Sequence, residues 1–293
     1  MINSIFKIVG RFLRAILRAF KEVCCAVKRY PEALYKAPKF RNLFSEVNTF
    51  VGFVGYDRSG HSIIGALLDA HPNIIIAHEL DALKYVLAGF NRDQIYWLLL
   101  ENSRVAALGG RVSGGYSYFV PGQWQGKFEK IKVIGDKRGS DAAYWLTRAP
   151  WLLKRLRSII RVRVKFIHVV RNPYDNITTI HLKSPQKWPL GEAIDYYFWL
   201  FKAIQNFKKR MAPADFYEVQ HEWFVAHPRD VLKEICLFLG VEAPEDYLNA
   251  CAAIVSDAPH KSRLDMTWPP ELIEKVTNKI KESSFLHGYT YEN

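Results

Sequence analysis

Residues 49–72 read TFVGFVGYDRSGHSIIGALLDAHP, and the fold turns on how this stretch is read. Thr49 to Val54 is an apolar run of strand length ending at Gly55, and a polar turn follows it. Apolar residues then recur at helical spacing from about Gly60 to Ala70, and Pro72 closes the segment. The start of a helix leaves backbone N–H groups unpaired and adds roughly half a positive charge, so the turn DRSGHS is suited to hold an anion. Gly60 lets the chain approach a phosphate closely, Ser59, His61 and Ser62 carry side-chain donors, and Arg58 supplies charge. A nucleoside-triphosphate loop requires G-x-x-x-x-G-K-[ST]. Here His61 precedes Ser62 and that lysine is missing, which favours a metal-free phosphate site.

Outward from this unit the pattern alternates. Short β-branched runs at Asn73–Ala77, Lys132–Ile134, Val164–Val170 and Phe216–Gln220 predict further strands. Helical patterns separate them at Ala82–Leu100, Ala142–Arg161, Leu190–Arg210 and Pro228–Gly240. Buried strands alternating with helices predict an α/β fold, a P-loop-type parallel sheet with helices on both faces, whose ligand sites lie just beyond the carboxyl ends of the strands.

The bulk composition bounds the partners. Lysine and arginine outnumber aspartate and glutamate by 41 to 29, a positive field that favours anionic ligands. Half the residues are apolar and no low-complexity run is present, so the 293 residues are expected to fold around an extensive core. The four cysteines, Cys24, Cys25, Cys236 and Cys251, show no metal spacing, and a reducing, cytoplasmic setting is expected, with a Cys236–Cys251 bridge as the alternative. No nucleic-acid signature is present.

The N-terminal block INSIFKIVGRFLRAILRAFKEVCCAVKR forms an amphipathic pattern over residues 5–21. Ile5, Ile8, Val9, Phe12, Leu13, Ile16, Leu17 and Phe20 share one side, with Lys7, Arg11, Arg14, Arg18 and Lys21 on the other. It is too interrupted by charge to span a bilayer. Two placements fit it equally: peripheral binding to an anionic membrane, with Cys24 and Cys25 as palmitate acceptors, or packing on its own domain. PEALYKAPKFRNLFSE then reads as a linker.

A second anion motif follows the strand VKFIHVV: Arg171-Asn-Pro-Tyr-Asp-Asn-Ile-Thr-Thr179, with Pro173 suited to a first helical turn and Arg171 and Thr179 spaced to converge on a phosphate. The pairing of strand-RSGHS with strand-RNPYDNITT resembles the sulfotransferases that use 3′-phosphoadenosine 5′-phosphosulfate (PAPS). LLDAHPNIIIAHE (67–79) and IGDKRGS (134–140) look like segments of the branch containing tyrosylprotein, glycosaminoglycan and bacterial sulfotransferases. The likeness runs from about Val51 to Gly240, and implies a basic helix and linker over 1–43 followed by a sulfotransferase-like domain over 44–293.

That resemblance implies PAPS as co-substrate without a metal, and a hydroxyl-bearing acceptor: a carbohydrate, a glycolipid or a tyrosyl peptide. It implies 5′-phosphosulfate contacts from Arg58, Ser59, Gly60, His61 and Ser62, and 3′-phosphate contacts from Arg171 and Thr179. Glu79 takes the place of the catalytic base, with His78 as competitor, and Lys137 that of a cation stabilising the transferring group. Glu79 would be most effective as a base if burial raises its pKa. Lys261, Ser262 or Arg263, in a late basic element, returns to the nucleotide, while Trp145, Trp188 and Trp199 serve equally as adenine platforms or as core. The glycine- and aromatic-rich region 88–130 reads as an acceptor cleft or as a surface insertion. Two rival readings remain: an ATP-using P-loop kinase-like transferase, and a non-catalytic basic membrane-binding protein.

Overall fold

A computed structural model describes residues 20–184 and 187–293. Most of the amphipathic block, residues 1–19, lies outside the described residues. Residues 20–27 are helical, with Ala26 buried and Phe20 and Val27 exposed.

The stretch read as a linker is a helix, α1 (Tyr30–Phe40), with Pro31 near its start, where a missing N–H costs nothing. Ala33, Ala37 and the following Phe44 are buried in the core, so this segment belongs to the fold. The chain then builds strands β1 (Thr49–Gly55), β2 (Ile74–His78), β5 (Val133–Lys137), β6 (Arg163–Val170) and β7 (Phe216–Gln220). They form one parallel sheet in the order β2-β5-β1-β6-β7. A two-strand antiparallel hairpin, β3 (Val112–Ser113) with β4 (Tyr116–Ser117), is separate from it.

Between strands run α2 (His61–Asp69), α3 (Ala82–Leu87), α4 (Arg92–Leu108), α5 (Ser140–Arg148), α6 (Trp151–Ile160), α7 (Pro173–Lys183) and α8 (Leu190–Lys208). After β7 come α9 (His221–Ala226), α10 (Pro228–Leu239), α11 (Glu245–Ala252) and α12 (Pro270–Lys281). Alternation along each strand feeds two cores, one on each face. Phe50 and Val54 of β1 join Phe166 and Val170 on one side; Val51 and Phe53 join Ile167 and Val169 on the other. The first face is covered by α4, α5 and α8, through residues such as Trp97, Leu146 and Ile194; the second by α2 and α10, through Ile64, Leu67, Leu232 and Ile235.

Two predicted helices are each broken. Ala82–Leu100 splits because Gly89 takes φ +88° and Asn91 opens a new helix with a reciprocal capping box to Gln94. Ala142–Arg161 splits at Ala149–Pro150, since proline cannot donate within a helix. Cys236 and Cys251 are unbonded thiols buried beside Tyr247, so the alternative of a bridge is not realised. No helix among the described residues is long and apolar enough to cross a membrane.

Candidate active site

The turn between β1 and α2 is pinned from three directions. Asp57 accepts Ser140 Oγ (2.6 Å) from α5 and Tyr196 OH (2.9 Å) from α8, while Asn176 Nδ2 of α7 donates to the Asp57 carbonyl (2.6 Å). Gly60 caps α2 at φ +93°, a conformation that disfavours any side chain. A Cβ there would lie 2.4 Å from Nδ1 of His221, at the start of α9. Ser59 is buried, with its Oγ 3.1 Å from His61 Nδ1. Burial foremost, then the Lys137 charge, depress His61 to about 3, so its ring is neutral. Arg58 is half-buried at φ 66°, and its Nη2 donates to the Lys183 carbonyl (3.3 Å).

Strand β5 delivers Lys137 to this turn from below. Its stem crosses α2 at Gly65, where a Cβ would meet the Lys137 Cγ at 2.7 Å. The ammonium then lies 3.0 Å from Ser62 Oγ and 2.8 Å from Glu79 Oε1. Glu79 follows β2, which pairs with β5 so that His78 stands opposite Lys137, and its second oxygen faces Arg138 Nη1 at 3.4 Å. Burial pushes the Glu79 carboxyl up, yet the Lys137 charge and hydrogen bond outweigh it and hold the pKa down at about 2. At Glu79 the adjoining ammonium therefore wins over burial, and the condition that would make it most effective is not met while that ammonium faces it. Lys137 itself is lowered by burial, against the pull of Glu79. His78, the competing base, is lowered to about 4, by burial first and then by Lys137.

The second motif sits beside the first. Arg171 Nη1 is 3.4 Å from the Arg58 carbonyl and 3.5 Å from Thr179 Oγ1, which donates to the Asp175 carbonyl (2.8 Å) one turn earlier in α7. Arg171 Nη2 donates to Ser262 Oγ (2.9 Å) and to the His260 carbonyl. Ser262 is thus the residue of the late basic element that joins Arg171 and Thr179, its Oγ lying 3.1 Å from the threonine. Arg263 turns elsewhere. It is buried against Asp175 (2.6 Å) and the carbonyl of Asn293, and it is Ser262 rather than Arg263 that bonds Arg171. Exposed Lys261 borders a cavity of about 410 Å³ shared with Asn172, Glu222, Arg263 and Tyr289.

Sequence reasoning missed His221. Its Nδ1 is buried against Gly60 without a partner among the described residues, and burial followed by the Arg171 charge lowers it to about 4. The signal was its place immediately after β7, where an open parallel sheet collects ligand groups. The hairpin at 112–117 also reaches this site: Ser113 Oγ is 3.3 Å from Ser62 Oγ, and the Gly114 turn lies on Arg58. Part of the region 88–130 therefore closes over the anion turn.

A family model described as "Sulfotransferase family" matches residues 51–245, about two thirds of the chain. The chain belongs to the sulfotransferase family. Among solved structures, it is similar to the sulfotransferase domain of the Synechococcus PCC 7002 olefin synthase, at 19% identity and a TM-score of 0.51, covering 81% of this chain and 94% of that one. The sulfotransferase domain from the curacin biosynthetic pathway follows at 17% identity and a TM-score of 0.49, covering 81% and 98%. A mouse sulfotransferase complexed with PAP matches at 11% identity and 0.45, covering 83% and 88%. At these identities the likeness to solved structures is one of fold. No curated protein matches this chain.

Proposed function

We propose that this sulfotransferase-family chain moves the sulfuryl group of PAPS to the hydroxyl of an acceptor by in-line displacement, with Glu79 as general base. The observation carrying this reading is that three cations from three strand ends meet around one turn: Arg58, Lys137 3.0 Å from Ser62, and Arg171 3.4 Å from the Arg58 carbonyl. Two buried nitrogens without partners among the described residues, Arg171 Nε and His221 Nδ1, flank the same turn, as a site built for further acceptor and donor atoms requires. When bound, PAPS supplies the sulfuryl group and leaves as adenosine 3′,5′-bisphosphate (PAP). The turn amides, Arg58, Ser59, Gly60, His61 and Ser62 hold the phosphosulfate end; Arg171, Thr179 and Ser262 hold the 3′-phosphate, with Lys261 at the rim.

Glu79 then acts through Lys137. Its low pKa makes it a weak base while the ammonium faces it. Negative charge arriving at Ser62 competes for that ammonium, and as Lys137 turns toward it the Glu79 carboxylate gains proton affinity. Taking the acceptor's proton neutralises Glu79 and leaves the Lys137 charge free for the developing charge on the turn side. The two events reinforce each other.

The acceptor we favour is a carbohydrate or glycolipid hydroxyl, a tyrosyl peptide being the other candidate. The support is the Tyr116–Tyr118 pair, stacked at 6.4 Å, on the hairpin that covers the turn, since such faces suit sugar rings as well as apolar groups. Thermal-shift titration in Mg²⁺-free buffer tests the donor: stabilisation by PAP is expected, and stabilisation only by ATP with Mg²⁺ would contradict it. Transfer from [35S]PAPS to a panel of oligosaccharides, glycolipids and tyrosyl peptides tests the acceptor, with label on the carbohydrate-bearing members expected and label confined to the peptides against it.

A further inference from the structure

Glu79 occupies an uncommon backbone position. It and Asp81 both adopt left-handed conformations, φ 59° and 62°, within the three residues joining β2 to α3. Each such residue is strained and persists only where its surroundings over-determine it. Asp136 supplies that determination. It lies on β5 opposite Ala77 of β2, and its buried carboxylate accepts the amides of Leu80 (3.1 Å, Oδ1) and Ala82 (2.7 Å, Oδ2). Because side chains alternate along a strand, Asp136 reaches the turn while its neighbour Lys137 reaches the anion site from the other face. The Glu79 amide closes the arrangement by donating to the Lys137 carbonyl (3.1 Å). One dipeptide of β5 thus governs both the backbone that carries Glu79 and the cation that faces it.

We infer that Asp136 is a positioning residue for the transfer reaction: its carboxylate holds the 79–82 turn so that the Glu79 carboxylate meets Lys137. The inference rests on the proposed role of Glu79. Asp136 touches neither donor nor acceptor and acts only through the turn. Its two accepted amides are buried, and removing an acceptor from a buried amide leaves a donor unsatisfied, so the turn would relax toward ordinary φ values and carry Glu79 away from the ammonium.

Asp136→Asn tests this, because the amide keeps one acceptor oxygen and the same shape. The first readout is hydrogen–deuterium exchange of the Leu80 and Ala82 amides in the full chain. Exchange at least about tenfold faster than in wild type is expected, with the α2 amides unchanged. The second is a crystal structure of the variant, expected to lack the Lys137–Glu79 contact. The third measures turnover with PAPS and an oligosaccharide labelled in the panel assay, whose hydroxyl is un-ionised at neutral pH: Asp136→Asn lowers kcat about 10- to 100-fold with little change in the KM for PAPS, and adds almost nothing in a Glu79→Gln background. Amides that stay protected, a contact that persists, or losses that multiply in the double variant would overturn the positioning role and leave the base assignment standing. Full turnover by Glu79→Gln alone overturns that assignment and the inference together. Asp136→Ala, lacking both oxygens, extends the series and is expected to exchange faster still.

Discussion

The two cationic ends of the site are built on opposite principles. At the β1–α2 end, Lys137 is held by a carboxylate of its own chain, Glu79, so the pair rests close to neutral. At the α7 end, Arg171 hydrogen-bonds to neutral oxygens, the carbonyls of Arg58 and His260 and the hydroxyls of Thr179 and Ser262, while the carboxylates of Asp175 and Glu222 act on it through space. A cation directly paired with a carboxylate is ready to exchange partners during a reaction, whereas one whose hydrogen bonds go to carbonyls and hydroxyls keeps more of its charge available for a ligand anion. We therefore assign turnover to the first end and affinity to the second.

Substitutions at the two ends should separate these roles. Glu79→Gln is expected to have the largest effect, lowering kcat about 10²- to 10⁴-fold while PAP binds no more weakly; loss of PAP affinity with turnover retained would reverse the assignment. Next comes Arg171→Met. Losing a charge-assisted contact should weaken PAP about 10- to 100-fold by titration calorimetry and leave kcat at saturating PAPS within a few-fold of wild type. A fall confined to kcat would break the comparison. Gly60→Ala, forcing a Cβ at φ +93° against His221, should destabilise the chain by roughly 1–3 kcal/mol in denaturant unfolding, and an unchanged midpoint would show that the turn relaxes freely.

The smallest effect concerns the turn after β2. Burial, with the Asp136 charge beside it, raises Asp81 to about 7 from an ordinary value of 3.8. The folded chain therefore holds that proton more tightly than the unfolded one. Its contribution is full below pH 3.8 and disappears as pH rises through about 7, leaving a buried carboxylate whose Oδ1 lacks a partner among the described residues. Asp81→Asn keeps a residue that tolerates positive φ and removes the charge. Its Tm should exceed wild type by about 1–2 °C at pH 8, with the gain shrinking toward pH 5; a larger gain at pH 5 would have the sign wrong.

Much of this was legible in the sequence, and the exceptions have physical causes. The anion turn, the strands and the Arg171–Thr179 spacing are local patterns, and they fold locally. The split at Gly89 was also written in the chain, as Asn91 with Gln94 three residues on, but apolar spacing on both sides masked it. The low pKa of Glu79 was not legible, because it follows from the parallel register that sets His78 beside Lys137. Ser262 and Arg263 are adjacent in sequence and face different partners, a choice made by buried Asp175 and the C-terminal carbonyls. Asp136 acquires its role only when β5 and β2 pair.

The proposed function requires both ends to grip one bisphosphorylated adenosine. Calorimetric titration of PAP and of 5′-AMP, without Mg²⁺, into wild type and Arg171→Met tests it most directly. Wild type should prefer PAP by about 100-fold and the variant should lose most of that preference, because only PAP carries the 3′-phosphate. Equal affinity of wild type for the two nucleotides, or a preference untouched by Arg171→Met, would contradict it.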